Sequence, residues 1–396
     1  MRLILYQQKS NMRINRFLLC LALITGLFKS VSFSQIMPAK TSPTTPGAVS
    51  QAPASALLSS LKLGIAGLSH DHVHNILNDY RAGKVIIVGI AEADKQLRAR
   101  YQAQYNLPDS LFFDDLKKMA TIRKPDAVLG FNPVAKHIDV VEICAPLGIS
   151  VMVEKPLAAT LAQARRMEFL ALKYYVKVLT NYETTWYPSY QQVYDVTEKD
   201  SIGQIRKIVV HDGHEGPKEI GCSKEFVNWL TDPELNGGGA LIDFGCYGAD
   251  LMTWLMKGQK PIAVTAVARH FKLQTYPKVE DDVNIVIEYP TATGIIEASW
   301  NWPFSIKDLE IFGDEGYLHA LDNSNIVSRI GNTPKTNKVA TPLNPPSDHP
   351  ITYLQVVLQN RLMGLTDRSS LKYNMIVMQI LDASKRSIAE GKRIVL

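Results

Sequence analysis

The sequence LKLGIAGLSHDH at residues 61–72 decides the fold class of this chain. Its first half is a short apolar run that ends at Gly67, and a helical pattern follows it to Tyr80. A second apolar run, Val85–Ala91, comes next, and the alternation continues to about residue 180. Continuous apolar runs that alternate with helices are typical of strands buried on both faces. This region therefore predicts a doubly wound α/β fold, a parallel sheet with helices on both sides.

The rest of the region repeats the same pattern. The predicted helices are Gln96–Tyr105, Leu116–Ile122 and Ile138–Leu147, and the predicted strands are Leu111–Asp114, Ala127–Phe131, Val151–Val153 and Val176–Thr180. Sheets of this kind bind ligands, dinucleotides above all, outside the carboxyl ends of their strands. We therefore expect residues 61–180 to form a Rossmann-type dinucleotide-binding domain and residues 181–396 to form a second domain.

The turn after the first strand departs from the usual phosphate-binding pattern. A G-x-G-x-x-G fingerprint would have three glycines where this chain has Gly67, Ser69 and His72. Gly67 keeps the tight turn, and the Ser69 hydroxyl is a candidate phosphate ligand, but Asp71 adds a negative charge near the helix N-terminus. Glu92 ends the second strand, where a carboxylate binds the adenosine ribose and favours NAD over NADP. A solvated acid at a strand end is the alternative interpretation of Glu92.

Three of the nine histidines, His70, His72 and His74, lie within five residues. His70 and His74 have the i,i+4 spacing that places two potential metal ligands on one helix face. Since no second cluster of ligands is evident in the sequence, we expect no metal site here. A polar lining of the cofactor cleft is the favoured role.

The N-terminal segment carries the basic charge of the chain. Residues 1–60 contain six basic side chains and no acidic one, which leaves 37 basic against 38 acidic residues in the remainder. The apolar run FLLCLALITGLF at residues 17–28 follows Arg13 and Arg16 and is shorter than the roughly 20 residues that span a bilayer. This pattern predicts a secretory signal peptide over residues 1–35 and a linker rich in Pro, Ser, Thr and Ala over residues 36–60.

The remaining body is close to neutral, so it offers no basic surface for nucleic acid or for an anionic membrane. We therefore expect an exported, periplasmic protein that contacts no membrane after signal removal and binds no nucleic acid.

Two motifs carry a family resemblance. Val153–Leu157 reads VEKPL, and residues 237–247 read GGGALIDFGCY. In this combination and order, they resemble the glucose–fructose oxidoreductase/inositol dehydrogenase/MocA (Gfo/Idh/MocA) family, and the resemblance runs from about Leu61 to the C-terminus. It implies a Rossmann domain followed by a domain with a large open sheet. It also implies hydride transfer between NAD(P) and a carbon of a sugar or cyclitol.

The resemblance implies three catalytic residues. Lys155 matches the family lysine that contacts both the substrate hydroxyl and the nicotinamide, and partial burial is expected to lower its pKa. Tyr247 stands where many members have His, and it would exchange a proton with the reacting oxygen while Lys155 lowers its pKa. Asp243, at i,i+4 from Tyr247, would orient the sugar. A half-buried packing role is the alternative for Tyr247.

Further residues are assigned to the cofactor and to the substrate. Asn132, Pro133 and Glu154 match positions around the nicotinamide and its ribose, which adds them to the cofactor set of Gly67, Ser69, His72, Glu92 and Lys155. Trp186 offers a flat face for a sugar ring. His211 and His214 begin a Gly- and Pro-rich loop that is a candidate substrate wall.

The second domain shows the alternating pattern of an antiparallel sheet. Strands are predicted at Ile205–His211, Ile262–Phe271, Val283–Tyr289, Gly294–Trp300 and Asp308–Phe312, and helices at Ser189–Glu198, Tyr353–Met363 and Tyr373–Glu390, with a loop at Gly331–Pro350. The family brings its last helix back to the Rossmann domain and pairs subunits through the open sheet. A homodimer or a tetramer is therefore expected.

Three functions remain open. The first is an exported NAD(P)-dependent oxidoreductase for a carbohydrate substrate. The second is an NAD-assisted glycosidase or lyase that restores its own cofactor. The third is a sugar-binding protein whose cofactor site has degenerated, as Ser69 and His72 would allow.

Overall fold

The structure, a computed structural model, describes residues 58–359 and 364–396. The predicted signal peptide and residues 36–57 of the predicted linker lie outside the described residues. Within the described ranges, no helix combines the length and the apolar character that a membrane span requires.

The first domain alternates strands and helices along the chain. Its elements are β1 (Lys62–Ala66), α1 (Val73–Arg81), β2 (Ile86–Ala91), α2 (Lys95–Tyr105), β3 (Phe112–Phe113), α3 (Leu116–Arg123), β4 (Ala127–Gly130), α4 (His137–Cys144), β5 (Ser150–Glu154), α5 (Leu161–Tyr174) and β6 (Val178–Asn181). The strands form one parallel sheet in the order β3-β2-β1-β4-β5-β6, so the predicted doubly wound fold is confirmed. Side chains cap the helices that follow the strands: Asp94 caps α2, Asp115 caps α3 and Thr160 caps α5.

The second domain begins with a helix and is then dominated by strands. Its elements are α6 (Pro188–Glu198), β7 (Ile205–Gly213), α7 (Lys224–Leu230), α8 (Ala240–Asp243), α9 (Gly245–Leu255), β8 (Ala263–Arg269), β9 (Asp282–Glu288), β10 (Thr293–Ser299), β11 (Ile306–Gly313), β12 (Gly316–Ala320), β13 (Asn325–Ile330), β14 (Thr336–Val339), α10 (Pro350–Gln359), α11 (Leu371–Glu390) and β15 (Ile394–Val395).

The nine strands of this domain form a sheet in the order β14-β13-β12-β11-β7-β10-β9-β8-β15. Among the described strands of this nine-stranded sheet, only the β7–β10 pair is parallel, so the predicted mostly antiparallel sheet is confirmed. The prediction of a plain loop over Gly331–Pro350 is wrong, because β14 lies within it. All four residues of β14 are exposed, so no apolar alternation marks this edge strand in the sequence.

Helices α9 and α11 cover one face of the large sheet. Every residue of α9 is buried, and α11 packs against α9, β8 and also α5 of the first domain. The opposite face of the sheet carries half-exposed residues, among them His211 and Glu297, and no described helix covers it. The loops at the carboxyl ends of β1, β4 and β5 meet α7 and α8, and the candidate site lies at this junction.

Candidate active site

The site is built around a buried pair of charges, Lys155 and Asp243. Lys155 follows β5, and Asp243 ends the short helix α8, so the two domains each contribute one partner. The Lys155 Nζ donates to the Asp243 carboxylate and also to the Asp243 backbone carbonyl, the latter at 2.9 Å. Trp300 Nε1 donates to the other carboxylate oxygen of Asp243 at 2.8 Å. Asp243 therefore holds Lys155 through one carboxylate oxygen and its backbone carbonyl, while Trp300 binds the second carboxylate oxygen.

The expectation of a lowered pKa for Lys155 is wrong for this arrangement. Burial favours the neutral amine, but the Asp243 carboxylate outweighs it and raises the pKa of Lys155 above its ordinary value. The pKa of Asp243 is lowered, since its burial is more than offset by the ammonium group. Lys155 is thus a fixed cation at neutral pH.

Tyr247 lies beside this pair on the first turn of α9. It is 1% exposed, and the Lys155 Nζ lies 5.0 Å from its ring centroid. Burial, together with the nearby carboxylates of Glu183 and Asp212, raises the pKa of Tyr247 well above its usual value. The expectation that Lys155 lowers this pKa is therefore wrong, and the phenol is held neutral. A phenol with a raised pKa is a weak acid, so it gives its proton only to a strongly basic atom such as an alkoxide oxygen.

These side chains line one cavity of about 740 Å³. A second lysine, Lys307, lies 5.1 Å from the Tyr247 ring and forms an ion pair with Glu183. Tyr187 also donates its hydroxyl to Glu183, at 2.8 Å. Although burial opposes it, the contact with Lys307 lowers the pKa of Glu183 to about 2. The cavity therefore contains two lysine–carboxylate pairs.

The structure separates the three predicted substrate residues. His214 lines the cavity, and its Nδ1 accepts the Gly216 N–H at 2.8 Å, which leaves the proton on Nε2. His211 does not line the cavity. It lies on the other face of β7 and binds Asp308 at 2.7 Å, because the strand continues to Gly213 and successive side chains alternate.

Trp186 is also outside this cavity. Its Nε1 donates to Asn181 at 3.0 Å, and its ring packs on Tyr353 at the wall of a neighbouring cavity of about 540 Å³. The side chain of β7 that faces inward is instead that of Asp212, which is 1% exposed and whose Oδ1 atom has no partner. Asp212, Glu183 and Lys307 were missed by the sequence interpretation because no local pattern marks them.

The predicted cofactor residues line a groove at the carboxyl ends of β1, β2 and β4. Gly67, Ser69, Glu92, Asn132 and Pro133 all border this groove of about 390 Å³. Gly67 has φ +81°, and a Cβ there would lie 2.8 Å from the Asn132 Cβ, so only glycine fits the turn. The Asn132 Oδ1 atom is buried without a partner.

Glu92 anchors the loop as well as facing the groove. Its carboxylate accepts the N–H groups of Leu68, at 2.9 Å, and Asp94, at 2.8 Å. Each carboxylate oxygen has a second lone pair, so Glu92 can still accept hydroxyl hydrogen bonds. Gly67 and Glu92 therefore fit the adenosine end of a dinucleotide, and Asn132 borders the same groove.

The polar backbone groups in the middle of the loop already form hydrogen bonds within the protein. The N–H groups of Ser69 and His70 both donate to the Phe131 carbonyl, at 3.1 and 3.0 Å. Trp229 of α7 donates to the Ser69 carbonyl at 3.1 Å, and the Ser223 N–H donates to Asp71 at 2.9 Å. The second domain is thus fixed on the turn that would carry a pyrophosphate, and few loop N–H groups are left to bind one.

His72 and Glu154 connect the loop to the end of β5. His72 Nδ1 lies 2.9 Å from Glu154 Oε2, and Asn181 donates to the other oxygen at 2.8 Å. Glu154 and Lys155 are adjacent, so the nicotinamide end of a dinucleotide would meet both. The two ends of the site fit NAD, and the segment between them departs from the common pattern.

Among the described residues, His70, His72 and Glu154 form a cluster of potential metal ligands, whose ligand atoms lie within 4.8 Å of one another. His70 Nδ1 accepts the His72 N–H at 3.2 Å, so the neutral ring carries its proton on Nε2, the nitrogen that faces Glu154. A protonated nitrogen has no lone pair for a metal. His74 points elsewhere, with Nδ1 2.5 Å from the Tyr105 hydroxyl.

Comparison with known proteins agrees with this architecture. The model of the oxidoreductase family with an NAD-binding Rossmann fold matches residues 61–182, and the model of the GFO/IDH/MocA C-terminal domain matches residues 190–319. The trans-1,2-dihydrobenzene-1,2-diol dehydrogenase of Xenopus laevis is 29% identical over 205 residues, which are 51% of this chain and 57% of the relative. The enzyme of the same name from Sus scrofa is 23% identical over 269 residues, which are 66% of this chain and 75% of the relative. The chain thus spans little more than half the length of the Xenopus relative.

Solved structures share the fold. Aldose-aldose oxidoreductase from Caulobacter crescentus superposes with a TM-score of 0.71 at 20% identity, covering 85% of this chain and 100% of that chain. An inositol dehydrogenase homologue from Azotobacter vinelandii, complexed with NAD+, gives 0.73 at 16% identity, covering 87% and 98%. With both of its domains matched in order, the chain belongs to the Gfo/Idh/MocA oxidoreductase family and carries that family's NAD-binding Rossmann domain.

Proposed function

We propose that this chain is an NAD-dependent oxidoreductase that transfers hydride to or from a carbon of a sugar or sugar-like polyol. The observation that carries the proposal is the Lys155–Asp243 pair beside Tyr247, in a cavity that adjoins the carboxyl edge of the Rossmann sheet. Hydride transfer to a carbonyl leaves negative charge on its oxygen, so it needs a fixed cation and a proton donor at that atom.

The described side chains divide these tasks. Lys155, held charged by Asp243, stabilises the negative charge that develops on the reacting oxygen. Tyr247, held neutral by burial, donates its phenolic proton to that oxygen, and it takes the proton back in the reverse direction. His214, with its proton on Nε2, is placed to bind a neighbouring hydroxyl. When bound, NAD supplies or accepts the hydride.

Five residues would hold the cofactor. Gly67 and Asn132 would shape the groove, Glu92 would bind the adenosine ribose, and Lys155 would face the nicotinamide. Glu154, which borders the neighbouring cavity, would face the same ring. Because a 2′-phosphate would meet the Glu92 carboxylate, we propose NAD rather than NADP. Glu92→Gln should lower the NAD-to-NADP affinity ratio about tenfold, the size of one charge-assisted hydrogen bond. Tighter binding of NADP by the unaltered protein would contradict this assignment.

A sugar-binding protein without a cofactor is the second candidate. It is favoured by the loop N–H groups of Ser69 and His70, which the Phe131 carbonyl already occupies. One experiment separates the candidates: a panel of sugars, polyols and glycosides is incubated with NAD, and reduced nicotinamide is followed by absorbance while products are analysed by mass spectrometry. Net reduced nicotinamide supports the oxidoreductase. Product formation that needs NAD without net reduction assigns the redox-assisted glycosidase or lyase. Ligand binding with no dependence on NAD in any assay assigns the binding protein.

We also propose that the protein is exported to the periplasm and loses its first residues, up to about residue 35. The support is the basic, apolar and small-residue pattern of residues 1–35. N-terminal sequencing of protein from the native host should begin in the mid-thirties. An intact N-terminus in the cytoplasmic fraction would contradict export.

We propose in addition that the chain forms a homodimer or a tetramer. The support is the outward face of the nine-stranded sheet, which no described helix covers and which includes Val267, 50% exposed, and Val286, 39% exposed. Sedimentation velocity should give a mass at least twice that of one chain. A monomer at micromolar concentration would contradict the proposal.

A further inference from the structure

The mouth of the catalytic cavity carries exposed apolar side chains beside the polar residues Ser305 and Asn323, and its floor is polar. Three of its lining residues are large apolar side chains with unusually high exposure: Ile220 at 46%, Phe304 at 61% and Leu321 at 43%. They come from three separate connections, before α7, before β11 and after β12. Exposed apolar groups that cluster at a pocket mark a binding surface more often than isolated ones do. We call these three residues the apolar rim.

The two lysines of the cavity floor are already paired. Lys155 is bound to Asp243 and Lys307 to Glu183. Asp71 accepts the N–H of Ser223 with one oxygen, and its other oxygen is buried without a partner, so it adds negative charge to the floor. A phosphate or a carboxylate on the substrate would have to break one of these pairs to find a cation. The floor is therefore suited to an uncharged, hydroxyl-bearing group, which accepts from lysine and donates to carboxylate without changing the charge balance.

The cavity is also larger than a single sugar ring requires. Its volume of about 740 Å³ lies in the upper part of the range of about 300–1,000 Å³ that is typical of pockets for drug-sized ligands. The nicotinamide would take part of this volume beside Lys155, and the same cavity extends from Tyr247 to the apolar rim. The polar floor and the apolar rim together are suited to a ligand with one hydroxylated end and one apolar end.

We propose that the substrate is an uncharged sugar or polyol that bears an apolar substituent, with the hydroxylated ring at Lys155 and Tyr247 and the substituent against Ile220, Phe304 and Leu321. This inference rests on the proposed function, since it assigns the substrate class of the same cavity. It excludes sugar phosphates, sugar acids and nucleotide sugars as the preferred substrates.

The test compares matched pairs of ligands by isothermal titration calorimetry, with NAD present and again without it. Each pair has one sugar head, glucose, galactose, mannose or xylose, as its methyl and its phenyl β-glycoside. For the head that the protein accepts, the phenyl glycoside should bind about tenfold more tightly, because it covers more apolar surface. Phe304→Ser and Leu321→Ser should each remove most of that ratio and leave the affinity for the methyl glycoside unchanged.

A matched control is Phe169→Ser, which removes an aromatic ring of similar exposure, 52%, from α5 away from the cavity. It should keep the full ratio. All three substituted side chains are exposed, so loss of the fold is not expected, and sedimentation velocity of each variant accompanies the titrations.

The outcomes separate the inference from the proposed function. Equal affinity for methyl and phenyl glycosides, or a preference that survives both rim variants, would overturn the inference alone. A change in oligomeric state caused by the rim variants would assign the rim to a subunit contact and also overturn it. A rim-dependent preference without any NAD-linked turnover would overturn the oxidoreductase and leave the ligand class standing. Binding of no glycoside pair would overturn both.

Discussion

Lys155 and Asp243 are joined twice, through the carboxylate and through the backbone carbonyl at 2.9 Å. One residue follows the last strand but one of the Rossmann sheet and the other ends α8 of the second domain, 88 positions later. Both side chains are almost fully buried, at 6% exposure each. The same contact therefore fixes the Lys155 ammonium group and joins the two domains at the candidate site.

Tyr247→Phe should lower turnover by about 10²–10⁴-fold while the fold is retained, because the change deletes only the hydroxyl that serves as proton donor. Steady-state kinetics and a thermal melt measure the two effects. Tyr373→Phe, a buried tyrosine of α11 outside the cavity lining, is the control and should keep full turnover. If Tyr247→Phe is as active as the unaltered protein, Tyr247 only packs, and the role of proton donor passes to His214.

Lys155→Met should destabilise the protein by about 3–5 kcal/mol, because it leaves the Asp243 carboxylate buried without a cation. The double variant Lys155→Met/Asp243→Asn should recover a large part of that loss, since no unpaired charge remains. Urea unfolding at neutral pH measures both. Strictly additive losses in the two single variants and the double variant would show that the pair is not coupled.

Gly67→Ala should weaken both folding and NAD binding. The position has φ +81°, and the new Cβ would lie 2.8 Å from that of Asn132. Gly83→Ala is the matched control, with φ +72° and no atom within 4 Å of its Cβ. Both variants carry the strain of a positive φ, but only Gly67→Ala adds the steric overlap, worth about 1–3 kcal/mol. Equal melting temperatures for the two variants would contradict the close approach to Asn132.

Lys307→Met should destabilise the protein at neutral pH and not at low pH. The pKa of Glu183 is about 2 in the folded protein, below its ordinary 4.5, so its stabilising contribution exists above about 4.5 and is lost as the pH falls towards 2. Because the Glu183 side chain is 43% exposed, solvent limits the contribution to about 1 kcal/mol.

Urea unfolding between pH 7 and pH 3 measures this difference between the unaltered protein and Lys307→Met. The exposed pair Lys136–Asp139 supplies the control Lys136→Met, for which only a few tenths of a kcal/mol are expected. A difference for Lys307→Met that stays constant across the pH range would contradict the assignment of Glu183 as its partner.

The order of the elements could be predicted from the sequence because their signals are local. The apolar runs that end at Ala66 and Ala91 are strands of the structure, and the helix of residues 96–105 begins one residue earlier, where Asp94 caps it. The edge strand β14 has no such signal, since all four of its residues are exposed. The strand β15 has only two residues, too few to show an alternating pattern, although Ile394 is buried.

The site could be predicted only where motifs mark it. Lys155, Asp243 and Tyr247 lie together as the two motifs indicated. Their protonation could not be predicted, because it depends on burial and, for Lys155 and Asp243, on the ion pair that the fold forms between them. His211 was assigned to the cavity on the assumption that the strand ended there. The strand continues for two more residues, and its alternation places His211 on the outer face and Asp212 on the inner face.

Native mass spectrometry of the protein mixed with NAD tests the proposed reaction at its first requirement, because every step needs bound cofactor. We expect one NAD per chain for the unaltered protein, with weaker binding of NADP and loss of the complex in Gly67→Ala. A protein that stays at the mass of the bare polypeptide at millimolar NAD, with its fold intact, would contradict the proposed NAD-dependent function.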